Sequence, residues 1–109
     1  MPYFALHYQQ VCENYVEKRA AFREIHLGLA REFYDRGELL LGGALTDPID
    51  SALLVFIAPD ASVVESFVAR DPYVQNGLIT RYAIRNWNVV VGNAPHPRVA
   101  ESATPFNAK

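Results

Sequence analysis

Two groups that lie far apart in this sequence, an imidazole and a carboxylate, have the chemistry of a proton-transfer pair. His26 falls between Phe22 and Leu29 at the spacing of one apolar helical face. A histidine buried on such a face needs partners for both ring nitrogens. A carboxylate that holds one nitrogen would leave the other to act as a general base. The alternative is a core histidine whose partners are purely structural.

Asp71 is the candidate carboxylate, and it also has a structural explanation. It precedes Pro72 in the stretch RDPYVQNG. Proline disfavours helical geometry in the residue before it and suits the first helical position, while Asp is among the best N-caps. The sequence therefore predicts a short helical turn that Asp71 caps and Gly77 ends. Capping would leave one carboxylate oxygen for an imidazole N–H of His26.

Other polar residues give weaker signals. Arg19 and Arg23 precede His26 near the same helical face, where they would receive an anionic substrate or else face solvent. Gly42-Gly43 interrupts a strand, which marks either a close approach by a ligand or an adjustment of twist. No Cys/His cluster has metal spacing and no phosphate-binding glycine loop occurs, so we expect no metal and no cofactor.

Composition narrows the class of protein. The chain has 109 residues, half of them hydrophobic, which suggests one folded domain. A net charge of −2 gives no footprint of nucleic-acid binding. No apolar run reaches the roughly 18 residues of a membrane helix, and the N-terminus does not resemble a secretory signal. Cys12 is the only cysteine and reads as a small structural residue, so we expect a cytoplasmic protein without disulfides.

The hydrophobic pattern predicts six elements. Strands are expected at 3–8, 38–45, 51–58 and 78–92, and helices at 15–36 and 59–71. Asn14 is the predicted cap of the first helix and Gly37 its C-terminal residue; Asp60 or Ser62 caps the second, whose Val63, Phe67 and Val68 face inward. The order β-α-β-β-α-β predicts an α+β, ferredoxin-like sandwich with both helices on one face of an antiparallel sheet. This domain spans 1–92, and 93–109 is a proline-rich tail or dimer arm.

The third strand predicts a partner for the sheet. Leu54 and Phe56 alternate with Leu53 and Val55, so both of its faces are apolar. Two helices cover only one face, and the other would exceed the few hundred Å² of apolar surface that monomers tolerate. We therefore expect a homodimer through the sheet face, with His7 as a structural or interface residue. The alternative is that the tail folds back over the sheet.

The same residues resemble a known family. REIHLGLAREFYDRGELLLGGAL is similar to the R-x-x-H-L … G-x-L-L-x-A-G-P segment of YciI-like (YCII-related) proteins, and DPYVQNGL to their D-P-Y/F-x-x-x-G segment. The resemblance covers about residues 3–91. It implies a ferredoxin-like fold that pairs as a dimeric α/β barrel. One departure is that Gly43 is followed by Ala44 where the family has proline, which affects the expected pocket wall.

The resemblance also implies roles. The family's proposed active-site pair corresponds to His26 and Asp71, and Arg23, Gly43 and Tyr73 match recurring positions that we assign to substrate binding. A dehydrochlorinase belongs to the family, and the barrel fold also includes muconolactone isomerase-type enzymes and small monooxygenases, which are analogies only. We expect a cofactor-independent lyase or isomerase that acts on a small cyclic or carbonyl-containing molecule. The alternative is a non-catalytic module that binds a small metabolite and uses the His–Asp contact structurally.

Overall fold

The computed structural model describes residues 1–92 and has the predicted α+β architecture. The strands are β1 (Tyr3–Val11), β2 (Leu39–Leu45), β3 (Ser51–Ile57) and β4 (Ile79–Trp87); the helices are α1 (Tyr15–Lys18), α2 (Arg23–Asp35), α3 (Ser62–Arg70) and α4 (Pro72–Gln75). The strands form one sheet in the order β2-β3-β1-β4, with every neighbouring pair antiparallel. This is the ferredoxin-like arrangement that the sequence predicts. In the described part of the chain, no helix has the length and apolar character needed to span a membrane.

The core lies between the helices and one face of the sheet. Along β1, Phe4, Leu6 and Tyr8 are buried and the residues between them are partly exposed. Phe33 of α2 and Phe67 of α3 meet edge to face, with ring centroids 5.2 Å apart. Both rings also contact Phe56 of β3, at 6.3 and 5.4 Å. Period-two burial along β1 and the aromatic contacts of α2 and α3 with β3 therefore place both long helices on one side.

The opposite face of the sheet is apolar, as the sequence predicts. Register pairs Ala5 with Val55 and His7 with Leu53 on this face. At its edges, Leu41 is 60% exposed and Trp87 is 44% exposed. Within residues 1–92, both long helices pack on the other side of the sheet and neither covers this surface.

The first predicted helix is broken, which corrects its predicted extent. A turn of 3₁₀ helix, Arg19–Ala21, separates α1 from α2, and Phe22 leaves helical geometry at φ −116° and ψ 2°. Asn14 is not the predicted side-chain cap, because its backbone is left-handed at φ 59° and its side chain makes no capping hydrogen bond. Gly37 ends α2 at φ 82° as predicted, with its N–H donating to the Tyr34 carbonyl in a Schellman-type ending.

The later elements differ from the prediction in smaller ways. The N-cap of α3 is Ala61, which makes no side-chain capping hydrogen bond, so neither predicted cap, Asp60 or Ser62, holds that position. Asp60, one residue earlier, accepts the N–H of Ser62 at 2.8 Å. Val64 is buried, whereas Val63 is only partly so. Strand β4 covers Ile79–Trp87 and is shorter than the predicted 78–92. The predicted tail 93–109 lies outside the described residues.

Candidate active site

Asp71 connects two helices and is fully buried. It leaves α3 in an extended conformation, at φ −74° and ψ 118°, because Pro72 follows it. Its Oδ1 accepts the backbone N–H of Tyr73 at 2.9 Å, which confirms the predicted cap of α4. Gly77 then turns the chain at φ 76° toward β4. The cap thus fixes a carboxylate with 0% exposure under the helical layer.

The structure brings His26 into direct contact with this carboxylate. The distance from His26 Nδ1 to Asp71 Oδ1 is 2.8 Å, although the residues are 45 positions apart. We expected the imidazole to bind the carboxylate oxygen that capping leaves free. Instead it contacts Oδ1, the same oxygen that accepts the backbone N–H of Tyr73. The other oxygen, Oδ2, accepts the hydroxyl of Tyr8 at 2.5 Å. Three donors compensate the carboxylate for its lost water.

The contact with Asp71 determines which nitrogen of His26 is available. A carboxylate oxygen that already receives other donors acts as an acceptor, so Nδ1 carries the hydrogen in this contact. Nε2 of the neutral ring is then an acceptor, and it has no hydrogen-bond partner among residues 1–92. The side chain is 15% exposed, and its ring stacks on Tyr73 with centroids 3.9 Å apart and an interplanar angle of 5°. The contact with Asp71 and the stacking on Tyr73 together fix the orientation of the imidazole.

His26 lies at the wall of a cavity of about 350 Å³ between the helical layer and β2. Arg19, Arg23, Tyr73 and Gly43 line the same cavity. The other lining residues are Tyr8, Tyr15, Leu27, Ala30, Leu39, Gly42, Ala44, Thr46, Ile49, Ala52 and Leu54. The five residues that the sequence singled out are therefore placed around one space, with Asp71 behind the imidazole.

The two glycines of β2 contribute differently to this wall. A Cβ on Gly42 would lie 3.0 Å from Leu54 Cγ, so the absence of a side chain allows β2 to approach β3 closely there. A Cβ on Gly43 would have no atom within 4 Å. Gly42 therefore leaves room for the Leu54 side chain on the helical face, while Gly43, which pairs with Leu53, faces the other side of the sheet and lines the cavity through its backbone.

The tyrosines of the site keep their protons. Burial, followed by the charge of Asp71 and its hydrogen bond, raises the pKa of Tyr8 far above its ordinary value. Burial also raises the pKa of Tyr73, against a smaller lowering effect of the nearby Arg23. The Tyr73 hydroxyl is buried and has no hydrogen-bond partner among residues 1–92. Both hydroxyls are therefore donors at neutral pH.

Sequence reasoning missed Tyr8 and Tyr15. Tyr8 lies on the buried face of β1 with Phe4 and Leu6, and a buried phenol needs an acceptor, so its period-two position was the available signal. Tyr15 begins a helix, and nothing in the pattern distinguishes it. Across the described range 1–92, no group of three or more His, Cys, Asp or Glu side chains is arranged to hold a metal ion.

Comparison with known proteins gives a family and a fold. A family model described as the YCII-related domain matches residues 1–88. No curated protein matches the chain. A solved structure of 5-chloro-2-hydroxyhydroquinone dehydrochlorinase from Burkholderia phenoliruptrix AC1100, in complex with 2,5-dihydroxybenzoquinone, is similar, with a TM-score of 0.68 and 20% identity. The similarity covers 80% of this chain and 94% of that one, and at this identity it shows the fold.

Proposed function

The chain belongs to the YCII-related family, and from the geometry of its cavity we propose that it is a small cytoplasmic enzyme that moves a proton without a cofactor. The observation that carries this proposal is the 2.8 Å contact between His26 Nδ1 and Asp71 Oδ1 beside the cavity. The substrate class is a small cyclic or carbonyl-containing molecule. A structural neighbour that is a dehydrochlorinase supports lyase or isomerase chemistry.

His26 is the general base in this mechanism. Nε2 takes a proton from the substrate, and the negative charge of Asp71 stabilises the imidazolium that forms. In an elimination, the electron pair of the broken C–H or O–H bond expels a leaving group on the substrate, and the proton passes later to water. In an isomerisation, the imidazolium returns the proton to a different carbon. Asp71 acts as a positioning residue, because it contacts the base and not the substrate.

The cavity suits one ring. About 350 Å³ lies at the small end of ligand sites, which are mostly apolar with a few converging polar groups. Arg23 and Tyr73 bind the substrate from the helical side in this proposal, and the backbone of Gly43 borders it along β2. Leu27, Ala30 and Leu39 supply apolar lining. Exclusion of water by such walls strengthens the interaction of imidazolium with Asp71.

Proton exchange tests the proposal without knowledge of the full reaction. Small cyclic ketones, hydroxyquinones and chlorinated hydroxyhydroquinones would be incubated with the protein in D₂O, with ring-hydrogen exchange and chloride release followed by NMR and ion chromatography. His26→Ala should lower the rate on an active compound by roughly 10²–10⁴-fold, the usual contribution of a general base. His7→Ala is the matched control, because His7 lies on the other face of the sheet. An unchanged rate in His26→Ala would refute the proposal.

One observation favours a second candidate, a non-catalytic metabolite-binding module. Asp71 joins β1, α2 and α4 through Tyr8, His26 and Tyr73, as a structural staple would. NMR titration of the His26 ring separates the two functions. A ring that titrates and responds to added ligand supports the enzyme. A ring that remains silent across the accessible pH range, in a protein that binds ligands without exchanging their protons, supports the binding module.

We also propose that two copies pair through the exposed face of the sheet. The apolar pairs Ala5–Val55 and Leu41–Val55 lie on that face, away from the helices. Light scattering on the full chain should give twice the monomer mass. Leu53→Asp should give the monomer mass, while Val16→Asp, at an exposed apolar position on α1, should remain dimeric. A monomeric wild-type protein would instead favour a tail that folds over the sheet.

A further inference from the structure

One wall of the cavity carries two guanidinium groups and two phenols but, in the described part of the chain, no carboxylate. Tyr73 is 2% exposed, and its hydroxyl has no partner among residues 1–92. Arg19 and Arg23 line the same cavity, and a guanidinium offers donors only. Neither arginine forms an ion pair with a carboxylate in that part of the chain, in contrast with Arg36 and Arg70. Arg23 is exposed and Arg19 partly so, whereas the Tyr73 hydroxyl is the buried donor of this wall. A buried donor without an acceptor is rare in native proteins, so an acceptor is expected at this hydroxyl.

These donors are close together. The rings of Tyr15 and Tyr73 meet edge to face with centroids 6.0 Å apart. The Arg19 guanidinium carbon lies 5.5 Å from the centroid of Tyr15. Within residues 1–92, no acidic side chain lines the cavity, and both oxygens of Asp71 already accept hydrogen bonds. The chain described here therefore supplies positive charge and donors at this wall, and nothing that neutralises them.

We propose that Tyr73, Arg23, Arg19 and Tyr15 form an anion subsite, and that the substrate is a small organic anion. A negatively charged oxygen of the substrate, either a carboxylate or an ionised ring hydroxyl, accepts from the Tyr73 hydroxyl and from the guanidinium of Arg23. Charge-assisted hydrogen bonds of this type are stronger than neutral ones. The inference rests on the proposed function, because it identifies the substrate class of the same site.

The subsite also positions the reacting atom. The Tyr73 ring stacks on His26 at 3.9 Å, so an oxygen bound at the Tyr73 hydroxyl holds the substrate alongside the imidazole. Loss of a substrate proton to Nε2 adds negative charge to the substrate, and the two guanidinium groups stabilise that charge. Burial raises the pKa of Tyr73 and of Tyr15, so both hydroxyls keep the hydrogens that they donate.

Matched pairs of ligands test this subsite by binding alone. Calorimetric titration of the full-length protein would compare benzoate with benzamide, and 2,5-dihydroxybenzoquinone with its uncharged dimethoxy analogue. We expect the anion to bind at least about 10-fold more tightly in one pair, as one charge-assisted hydrogen bond provides. The benzoate pair reports carboxylate recognition, and the quinone pair reports recognition of an ionised ring oxygen.

Variants assign the preference to individual residues. Arg23→Gln and Tyr73→Phe should each weaken anion binding about 10-fold and leave the neutral analogue unchanged. Tyr73→Phe keeps the ring that stacks on His26, so a structural role of the ring is preserved. Arg31→Gln, on the same helix outside this cavity, and Tyr82→Phe, at an exposed position on β4, are the controls. In both controls the anion preference should equal that of the wild type.

The outcomes distinguish this inference from the proposed function. Equal affinity within both pairs, or no binding of any of the four compounds, would overturn the anion subsite. Proton exchange without an anion preference would leave the enzyme standing and remove the subsite. An anion preference with the same exchange rate in wild type and His26→Ala would support the subsite and refute the proposed enzyme.

Discussion

Asp71 and Glu32 each accept three hydrogen bonds, yet their surroundings differ completely. Asp71 is fully buried, and its donors are a phenol, an imidazole and a backbone N–H. The Glu32 side chain is 40% exposed, and its donors are the guanidinium groups of Arg36 and Arg70, at 2.8 to 3.0 Å. By distance alone the two clusters look equivalent.

Burial, and not the number of contacts, decides what each cluster does. At Glu32, water and salt screen the charges, and long side chains lose rotamer freedom when they pair. At Asp71, water cannot replace a lost partner, so each donor depends on the carboxylate. The buried cluster can therefore fix the orientation of the His26 ring, while the exposed one is expected to add little to stability. Four measurements test this contrast.

Removal of the buried carboxylate should have the largest effect. Asp71→Ala leaves Tyr8, His26 Nδ1 and the Tyr73 N–H without an acceptor, and we expect a loss of about 3 kcal/mol in the free energy of unfolding. Urea denaturation followed by circular dichroism measures this loss. A value under about 1 kcal/mol would mean that water reaches the site and that the contrast with Glu32 is wrong.

Removal of one donor should cost less. Tyr8→Phe retains the ring but leaves Asp71 Oδ2 without its 2.5 Å partner, and we expect a loss of about 1–2 kcal/mol in the same assay. Tyr82→Phe is the control, since Tyr82 is 44% exposed and touches Tyr8 only by a ring edge at 6.4 Å. Equal losses in the two variants would show that the hydrogen bond from Tyr8 to Asp71 contributes no more to stability than an exposed tyrosine hydroxyl does.

Alkaline pH should weaken the fold through the same tyrosine. The pKa of Tyr8 is raised in the folded state, so the unfolded chain loses this proton first, near the ordinary tyrosine pKa of about 10. Its contribution to stability is complete below pH of about 10 and decreases as pH rises further. Between pH 8 and 11, roughly the range that spans this value, stability should fall less steeply in Tyr8→Phe than in wild type. Parallel curves would contradict the assignment.

The exposed cluster should show the smallest effect. Glu32→Gln removes the charge that Arg36 and Arg70 share, and we expect a stability indistinguishable from wild type at physiological salt. Denaturation at low and high ionic strength is the measurement, and any difference present at low salt should vanish at high salt. A loss of unfolding free energy as large as that of Tyr8→Phe would show that the exposed Glu32 cluster stabilises the fold as much as the buried contact of Tyr8 with Asp71.

Much of the fold could be predicted because the apolar pattern is regular. Alternation along β1 and the stripe through His26, Leu29 and Phe33 predict a sheet with helices on one face, and the uniformly apolar β3 predicts an apolar second face. The break at Phe22 could not be predicted, since no proline or glycine marks it. The predicted C-terminal end of β4 was also wrong, because apolar residues continue to Val91 although strand pairing ends at Trp87.

The sequence predicted which kinds of residue form the site, but not which of their atoms make contact. Asp71-Pro72 and Gly77 specify a capped turn, and an imidazole on an apolar stripe requires an acceptor. Which oxygen it takes depends on Tyr8, a contact between residues 63 positions apart that local sequence does not encode. The contact between His26 and Asp71 is now observed, while the catalytic role of the pair stays a prediction.

The wide spacing of these contacts along the chain has a consequence for synthesis and folding. Tyr8, His26 and Asp71 come from the first strand, the second helix and the end of the third helix, so loop closure must occur before they meet. A growing polypeptide that has not yet reached Asp71 contains the base and the phenol but nothing to orient them. The His26 ring should therefore reach its native orientation during translation or refolding only after α3 and Asp71 have packed against β1 and α2.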